Sequence, residues 1–212
     1  MIDKVVINST DTFSELCMLG RNFGTDKSPY NVVAHRHPYT GVYSILFSTL
    51  KNKAIRFAEI GVAGGASARL WDEYFTNPEA KIEMFDRDSN FLKHADELTS
   101  ARVSCSLMDV QKEGDIKRAL QERGDTYDVI IDDSTHGFED QIRIVKEAFP
   151  LLKPGGILVV EDVFRATEEK KYEQELEAIL SQCSTSYFVV CEHMARWSPG
   201  WDNDKLLVLV KG

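Results

Sequence analysis

No apolar run in the chain approaches the roughly 20 residues needed to cross a bilayer, so no membrane-spanning helix is expected. Positive charge is in short supply. Against 34 Asp and Glu stand 25 Lys and Arg, a net charge of −9, which disfavours a nucleic-acid or anionic-membrane surface because phosphate recognition needs concentrated Lys and Arg. A small or neutral substrate fits better. Cys17, Cys105, Cys183 and Cys191 show no CxxC spacing; they fall in predicted helices or strands and read as reduced core thiols, with no zinc site implied. The N-terminus lacks the basic, apolar and small-residue signal of an exported chain. A soluble, intracellular, cytoplasmic protein is expected, without nucleic-acid or membrane partners, and a homo-oligomer is left open. The dinucleotide fingerprint GxGxxG is missing as well: counted from Gly61, the third position is Ala63 and the sixth Ala66, which weakens a nicotinamide dehydrogenase.

What is present is a repeated alternation of strand and helix. With 212 residues, 43% of them hydrophobic, the chain is long enough for one well-buried domain over 1–212, divided into an N-terminal helical or lid segment, 1–53, and a core, 54–212. Thr10 or Asp11 can cap a helix running to about Asn22, and a polar loop follows from Phe23 to His37. From Ile55 the pattern is strand, turn and helix repeated several times, the signature of βαβ units. After Pro154-Gly155-Gly156 and the strand to Glu161 the rhythm breaks. Glu168 to Ser181 reads as one charged amphipathic helix, and two late strands, Tyr187 to Cys191 and Lys205 to Val210, are joined without a helix and so can pair antiparallel.

Acidic clusters close two consecutive apolar runs. Asp132-Asp133-Ser134-Thr135-His136 follows Tyr127 to Ile131, and Glu161-Asp162 follows Gly156 to Val160. Such runs read as strands buried on both faces, and in open α/β sheets ligands sit beyond the carboxyl ends of the strands, so both clusters converge on one site. Crowded carboxylates are costly unless a cation or protons offset them, which points to a metal or an acid/base role. A third feature, Glu59-Ile60-Gly61-Val62-Ala63-Gly64-Gly65-Ala66-Ser67, lies where the first core strand turns into its helix. By itself it reads equally as a tight turn or as a ligand loop. Asp86, ending the next strand, stands where an acid can accept both ribose hydroxyls, and Met108-Asp109 after the third strand can bracket an adenine.

Together Glu59-Ile60-Gly61-Val62, Asp86, Asp109, the Asp-Asp-x-x-His string and Gly155-Gly156 before Glu161-Asp162 resemble the class I S-adenosylmethionine-dependent methyltransferases. More narrowly, Phe23-Gly24-Thr25-Asp26-Lys27, followed by a histidine and Tyr39 to Tyr43, is similar to the metal-dependent macrolide-sugar O-methyltransferases of the mycinamicin deoxysugar type. The resemblance implies an α/β, Rossmann-like sheet of seven strands with the last antiparallel, helices on both faces and an N-terminal helical cap. It implies S-adenosylmethionine and magnesium, or another divalent cation, as cofactors, and a sugar hydroxyl as acceptor. The family usually writes Gly where this chain has Ala63, and Asp-Asp-Gly-Ser-His where it has Asp-Asp-Ser-Thr-His. Both replacements are tolerable if φ stays negative.

On this resemblance the donor would be held by Glu59, Gly61, Ala63, Gly65, Ser67, Asp86 with neighbouring Arg87, Met108 and Asp109. Thr25 and Lys27 are read as binding its methionyl carboxylate, against the alternative of a capped turn with a solvated lysine. The family's magnesium carboxylates match Asp133, Glu161 and Asp162, and hard cations prefer such oxygens. Asp132, as the last strand residue, is set on the donor side or orients loop backbone, outside the ligand set. His136 matches the family's general base, with Asp133 beside it as the second catalytic residue; without that match a helix-start histidine would read as exposed. His35, His37, Tyr39, Arg196, Trp197 and Trp201 are the acceptor-side candidates, the tryptophans as stacking surfaces or as pins for their loop. Two rivals are weighed beside this reading: a catechol-type small-molecule O-methyltransferase, and a non-catalytic binding module on the same fold. A scaffold has no reason to crowd three acids around one cleft.

Overall fold

The computed structural model describes residues 2–32, 35–124 and 126–212. In chain order its elements are β1 (Asp3–Asn8), α1 (Glu15–Phe23), α2 (Tyr39–Leu46), β2 (Arg56–Ile60), α3 (Ala66–Tyr74), β3 (Lys81–Asp86), α4 (Ser89–Leu98) and β4 (Val103–Leu107). Then follow α5 (Asp115–Arg123), β5 (Tyr127–Asp132), α6 (Phe138–Ala148), β6 (Leu152–Val160), α7 (Glu169–Glu175), α8 (Glu177–Leu180), β7 (Cys183–Glu192) and β8 (Lys205–Lys211). The strands form one sheet in the order β1-β7-β8-β6-β5-β2-β3-β4. Strands β2 to β6 run parallel, and β8 pairs antiparallel with both β6 and β7.

Strands β2 to β8 are the seven expected, with the last antiparallel. The eighth, β1, corrects the expectation of a purely helical N-terminal segment. It adds to β7 in parallel register at the sheet edge, and its residues are largely exposed, Val6 at 66%. An edge strand with little buried on either face has no apolar alternation to announce it. Two smaller boundaries also move. Ser14, and neither Thr10 nor Asp11, caps α1 by accepting from the Cys17 amide at 3.2 Å, and the long helix expected over 168–181 breaks at Leu176 into α7 and α8.

Apolar side chains alternate between two cores. Phe57, Val129, Ile131 and Val159 pack under α1 to α4, whereas Ala58, Ile60, Ile130 and Val160 pack under α5 to α8. Helices on both faces bury both sides of the central strands, as their near-continuous apolar runs require. The strand order reverses between β2, followed by β3 and β4 on one side, and β5 with β6 on the other. The carboxyl ends of β2 and β5 therefore flank the crevice where such sheets bind ligands.

Candidate active site

The loop after β2 is pressed against the loop after β5. The Gly61 amide donates to the Phe85 carbonyl at 2.7 Å and the Asp133 amide to the Ile60 carbonyl at 2.8 Å. Gly61 has φ +102°, and a Cβ there would lie 1.9 Å from the Asp133 carbonyl oxygen, so only glycine fits. Gly65, at φ +76°, starts α3. Ala63 sits at φ +43°, which corrects the expectation that its methyl is accommodated at negative φ; Ser134 is not among the residues of positive φ. Asp86 braces the loop: its Oδ2 accepts from the Val62 amide at 2.9 Å and the Ala63 amide at 3.4 Å.

Above these strand ends opens a cavity of about 690 Å³, within the size range of small-molecule sites. Of the expected donor residues, Thr25, Gly61, Ala63, Ser67, Asp86, Arg87 and Met108 line it. Glu59, Lys27, Gly65, Asp109 and Asp132 do not. Glu59 is fully buried beneath the loop, accepting from the Ser67 hydroxyl at 2.5 Å and from the Trp71 indole. Asp109 turns back to accept from the Gln111 amide at 3.1 Å. Asp132 accepts from the Ser134 amide and hydroxyl at 3.2 and 2.6 Å, and its burial, partly offset by those bonds, pushes its pKa up to about 7. Phe91, on the first turn of α4, and Gln111 also line the cavity. An aromatic residue shortly after the strand-end Asp86 was the available signal for Phe91, which is 43% exposed and offers a face for a base.

The cavity runs into the acidic end. Asp133, Ser134, Thr135 and His136 also line it. Asp133, His136 and Asp162 each offer a ligand atom within 4.8 Å of the others, and His136 Nδ1 is 3.3 Å from Asp162 Oδ2. Glu161 stands apart from that trio. Its Oε1 accepts from the Tyr43 hydroxyl at 2.5 Å and its Oε2 from the Lys27 ammonium at 2.7 Å. The Asp162 Oδ1 accepts from the Tyr39 hydroxyl at 2.6 Å. Tyr39 and Tyr43 are one helical turn apart, so α2 presents both hydroxyls to consecutive acids on β6's end.

Burial dominates the electrostatics here. It raises the pKa of Glu161 well above the ordinary carboxyl value, against the Lys27 charge, with Asp133, Glu59 and Asp162 adding to the rise. Asp162 is raised for the same first reason, opposed by His37 and His136. Burial also lifts the Tyr39 and Tyr43 phenols, with the carboxylate charges adding to it, so both hydroxyls stay protonated donors. Four carboxylates, Glu59, Asp133, Glu161 and Asp162, thus crowd one region. Such an oxygen-rich set, with the His136 imidazole beside it, fits a hard divalent cation.

Acceptor-side candidates occupy the rim. The Arg36 and Trp197 backbones form a two-bond bridge, 2.8 and 3.0 Å, tying the N-terminal loop to the 193–204 loop. His35 packs edge-on to Trp197 and Trp201, and Trp201 stands edge-on to His136 at 5.9 Å and tilted to Phe164 at 5.8 Å. Both tryptophans are nearly half exposed. His37, Tyr39 and Arg196 are placed differently from the expectation of open substrate contacts. His37 and Tyr39 are buried and stacked, with His37 Nδ1 2.9 Å from Asp204. Arg196 is engaged with Asp204 at 2.8 Å and Glu192 at 3.3 Å.

The fold is that of the class I S-adenosylmethionine-dependent methyltransferases, and the comparisons agree. The methyltransferase domain family matches residues 58–163, half of the chain, and the chain belongs to it. It is 29% identical over 137 residues to an 8-demethyl-8-(2-methoxy-alpha-L-rhamnosyl)-tetracenomycin-C 3'-O-methyltransferase of Streptomyces olivaceus, covering 61% of this chain and 33% of that protein. To the mycinamicin VI 2''-O-methyltransferase of Micromonospora griseorubida it is 30% identical over 138 residues, 61% of this chain and 32% of that one. The chain therefore spans about a third of the length of the curated relatives it matches. Among solved structures, the MycE methyltransferase from the mycinamycin biosynthetic pathway, in complex with Mg and SAH, superposes with a TM-score of 0.68 at 19% identity, over 95% of this chain and 55% of that one. The O-methyltransferase TomG from Streptomyces achromogenes, in complex with SAM, gives 0.61 at 18% identity, over 95% and 92%. At such identities the likeness is one of fold. No helix among the described residues is long and apolar enough to cross a membrane.

Proposed function

We propose that this chain transfers a methyl group from S-adenosylmethionine to a sugar hydroxyl, such as that of a 6-deoxyhexose like rhamnose in a glycan or glycosylated metabolite. One observation carries the reading: a single cavity is lined both by the glycine loop and Asp86 and by Asp133 and His136. A nucleoside along the loop would thereby extend its reactive end toward an acid–imidazole cluster. The sugar O-methyltransferases to which the chain is similar support the acceptor class.

Bound donor would supply an already activated methyl, leaving the alcohol as the poor nucleophile. Asp133 and Asp162, with Glu161 adjacent, would hold a divalent cation, whose chemistry there is to lower the pKa of acceptor hydroxyls and fix their direction. His136 serves as general base. Asp162 Oδ2 beside its Nδ1 favours the tautomer with the proton on Nδ1, leaving the Nε2 lone pair for the hydroxyl proton. Trp201, next to His136 and half exposed, offers an apolar face to a sugar ring. Thr25, Gly61, Ser67 and Asp86, which line the cavity, would hold and orient the donor.

Calorimetry with S-adenosylhomocysteine and, separately, NAD tests the donor half, and turnover with and without chelator tests the cation half. Binding of the homocysteine compound alone, with turnover lost in chelator and restored by magnesium, is expected. NAD binding, or full activity in chelator, contradicts the reading.

A further inference from the structure

Lys27 has surroundings unusual for a lysine in a polar loop. Its side chain is 1% exposed, and its ammonium meets carboxylates from three strand ends: Asp133 after β5, Glu161 after β6 at 2.7 Å, and Glu59 in β2 at 3.7 Å. Asp133 belongs to two groups at once. Its Oδ2 accepts from Lys27, yet its side chain, 22% exposed, is also one of the trio with His136 and Asp162 whose ligand atoms lie within 4.8 Å. A cation approaching that trio meets a ligand already bonded to an ammonium. Glu161, by contrast, is 1% exposed and held from both sides by Lys27 and Tyr43.

We propose that Lys27 is a resident counter-cation that shares Asp133 with the divalent ion. The ammonium compensates Asp133 and Glu161 while no ion is bound, and it yields Asp133 but keeps Glu161 when the ion arrives. This inference rests on the cation reading of the cleft given above. Two physical terms drive it. Removing the ammonium that pairs with buried Glu161 and Glu59 leaves them uncompensated, which is strongly destabilising. Placing a divalent ion within a few ångströms of a fixed ammonium is repulsive, which weakens the ion's hold. Lys27 thus keeps the acidic cleft intact at the expense of metal affinity. An ion pair of purely structural role would affect stability and leave the response to metal unchanged.

The test uses Mn²⁺ alone, titrated by calorimetry into the wild-type protein, Lys27→Met and Asp162→Asn, with thermal melting in chelator and in Mn²⁺. Lys27→Met is expected to melt lower than wild type in chelator, to bind Mn²⁺ about tenfold more tightly, and to gain more in melting temperature from it. Asp162→Asn is expected to bind more weakly. Equal affinity and equal thermal gain in wild type and Lys27→Met overturn the role of Lys27 while the cation reading stands. Uptake of Mn²⁺ by none of the proteins removes the cation reading and the proposal with it. If Lys27→Met does not fold, wild-type crystals with and without Mn²⁺ decide. Asp133 turned from Lys27 to the ion, with the Lys27–Glu161 bond kept, is expected; Asp133 still bonded to Lys27 beside a bound ion overturns the proposal.

Discussion

His136, in the loop after β5, and Asp162, just past β6, both have left-handed backbone, φ +57° and +55°, and His136 Nδ1 lies 3.3 Å from Asp162 Oδ2. Left-handed backbone costs a residue with a Cβ about 1–2 kcal/mol. Two such residues meeting side chain to side chain is the strained arrangement expected where geometry serves chemistry.

If His136 removes the acceptor proton, His136→Ala lowers turnover by roughly 10²–10⁴-fold, the usual contribution of a positioned base. Affinity for S-adenosylhomocysteine, measured by calorimetry, stays close to wild type. Near-normal turnover would return His136 to a structural role.

Gly61 and Ala63 are opposite cases in one loop. Gly61→Ala drives a methyl into the Asp133 carbonyl at positive φ, and a loss of about 2–5 kcal/mol in denaturant unfolding is expected. Ala63→Gly relieves a strained φ at some cost in chain entropy, for a net gain of about 0.5–1 kcal/mol. Equal midpoints for all three proteins would refute both.

Asp86→Ala removes the acceptor of the Val62 and Ala63 amides along with the expected ribose contact. A loss of about 1.5–3 kcal/mol, tenfold or more in donor affinity, should follow. Unchanged calorimetric affinity would take Asp86 out of the donor site.

Burial opposes the charged form of His37, but the Asp204 hydrogen bond and the charges of Asp162, Asp204 and Asp26 outweigh it and raise its pKa. Protonation is therefore favoured in the folded state. Its contribution to stability is complete below the unfolded value near 6.5 and is lost as pH rises through the raised folded value. Metal-free melting should show this decline above neutral pH, and His37→Gln should flatten it. A wild-type melting temperature that stays constant as pH rises above the unfolded value near 6.5 would count against it.

The parallel core was legible because β2, β5 and β6 are buried on both faces and end in charge, a pattern with no core explanation. Gly61 was legible only in part: the sequence leaves a tight turn and a ligand loop equal, and it is the Asp133 backbone, far away in the chain, that requires glycine there. Strand β1 was hidden by its exposure, which erases alternation. Lys27 was hidden more deeply. A lysine in a polar loop reads as a partner of the donor's carboxylate or as solvated, and only the convergence of three strand ends encloses it. Asp109 misled for a local reason, since an acid just past a strand is as able to close its own turn as to meet a ligand.

Methyl transfer to a sugar is tested most directly by mass spectrometry of acceptors incubated with the protein, S-adenosylmethionine and magnesium. Rhamnosides and other 6-deoxyhexosides should gain the mass of one methyl substitution on a ring hydroxyl, while catechols and NAD-dependent substrates stay unchanged. Methylated catechols beside unmodified deoxysugars would contradict the sugar assignment.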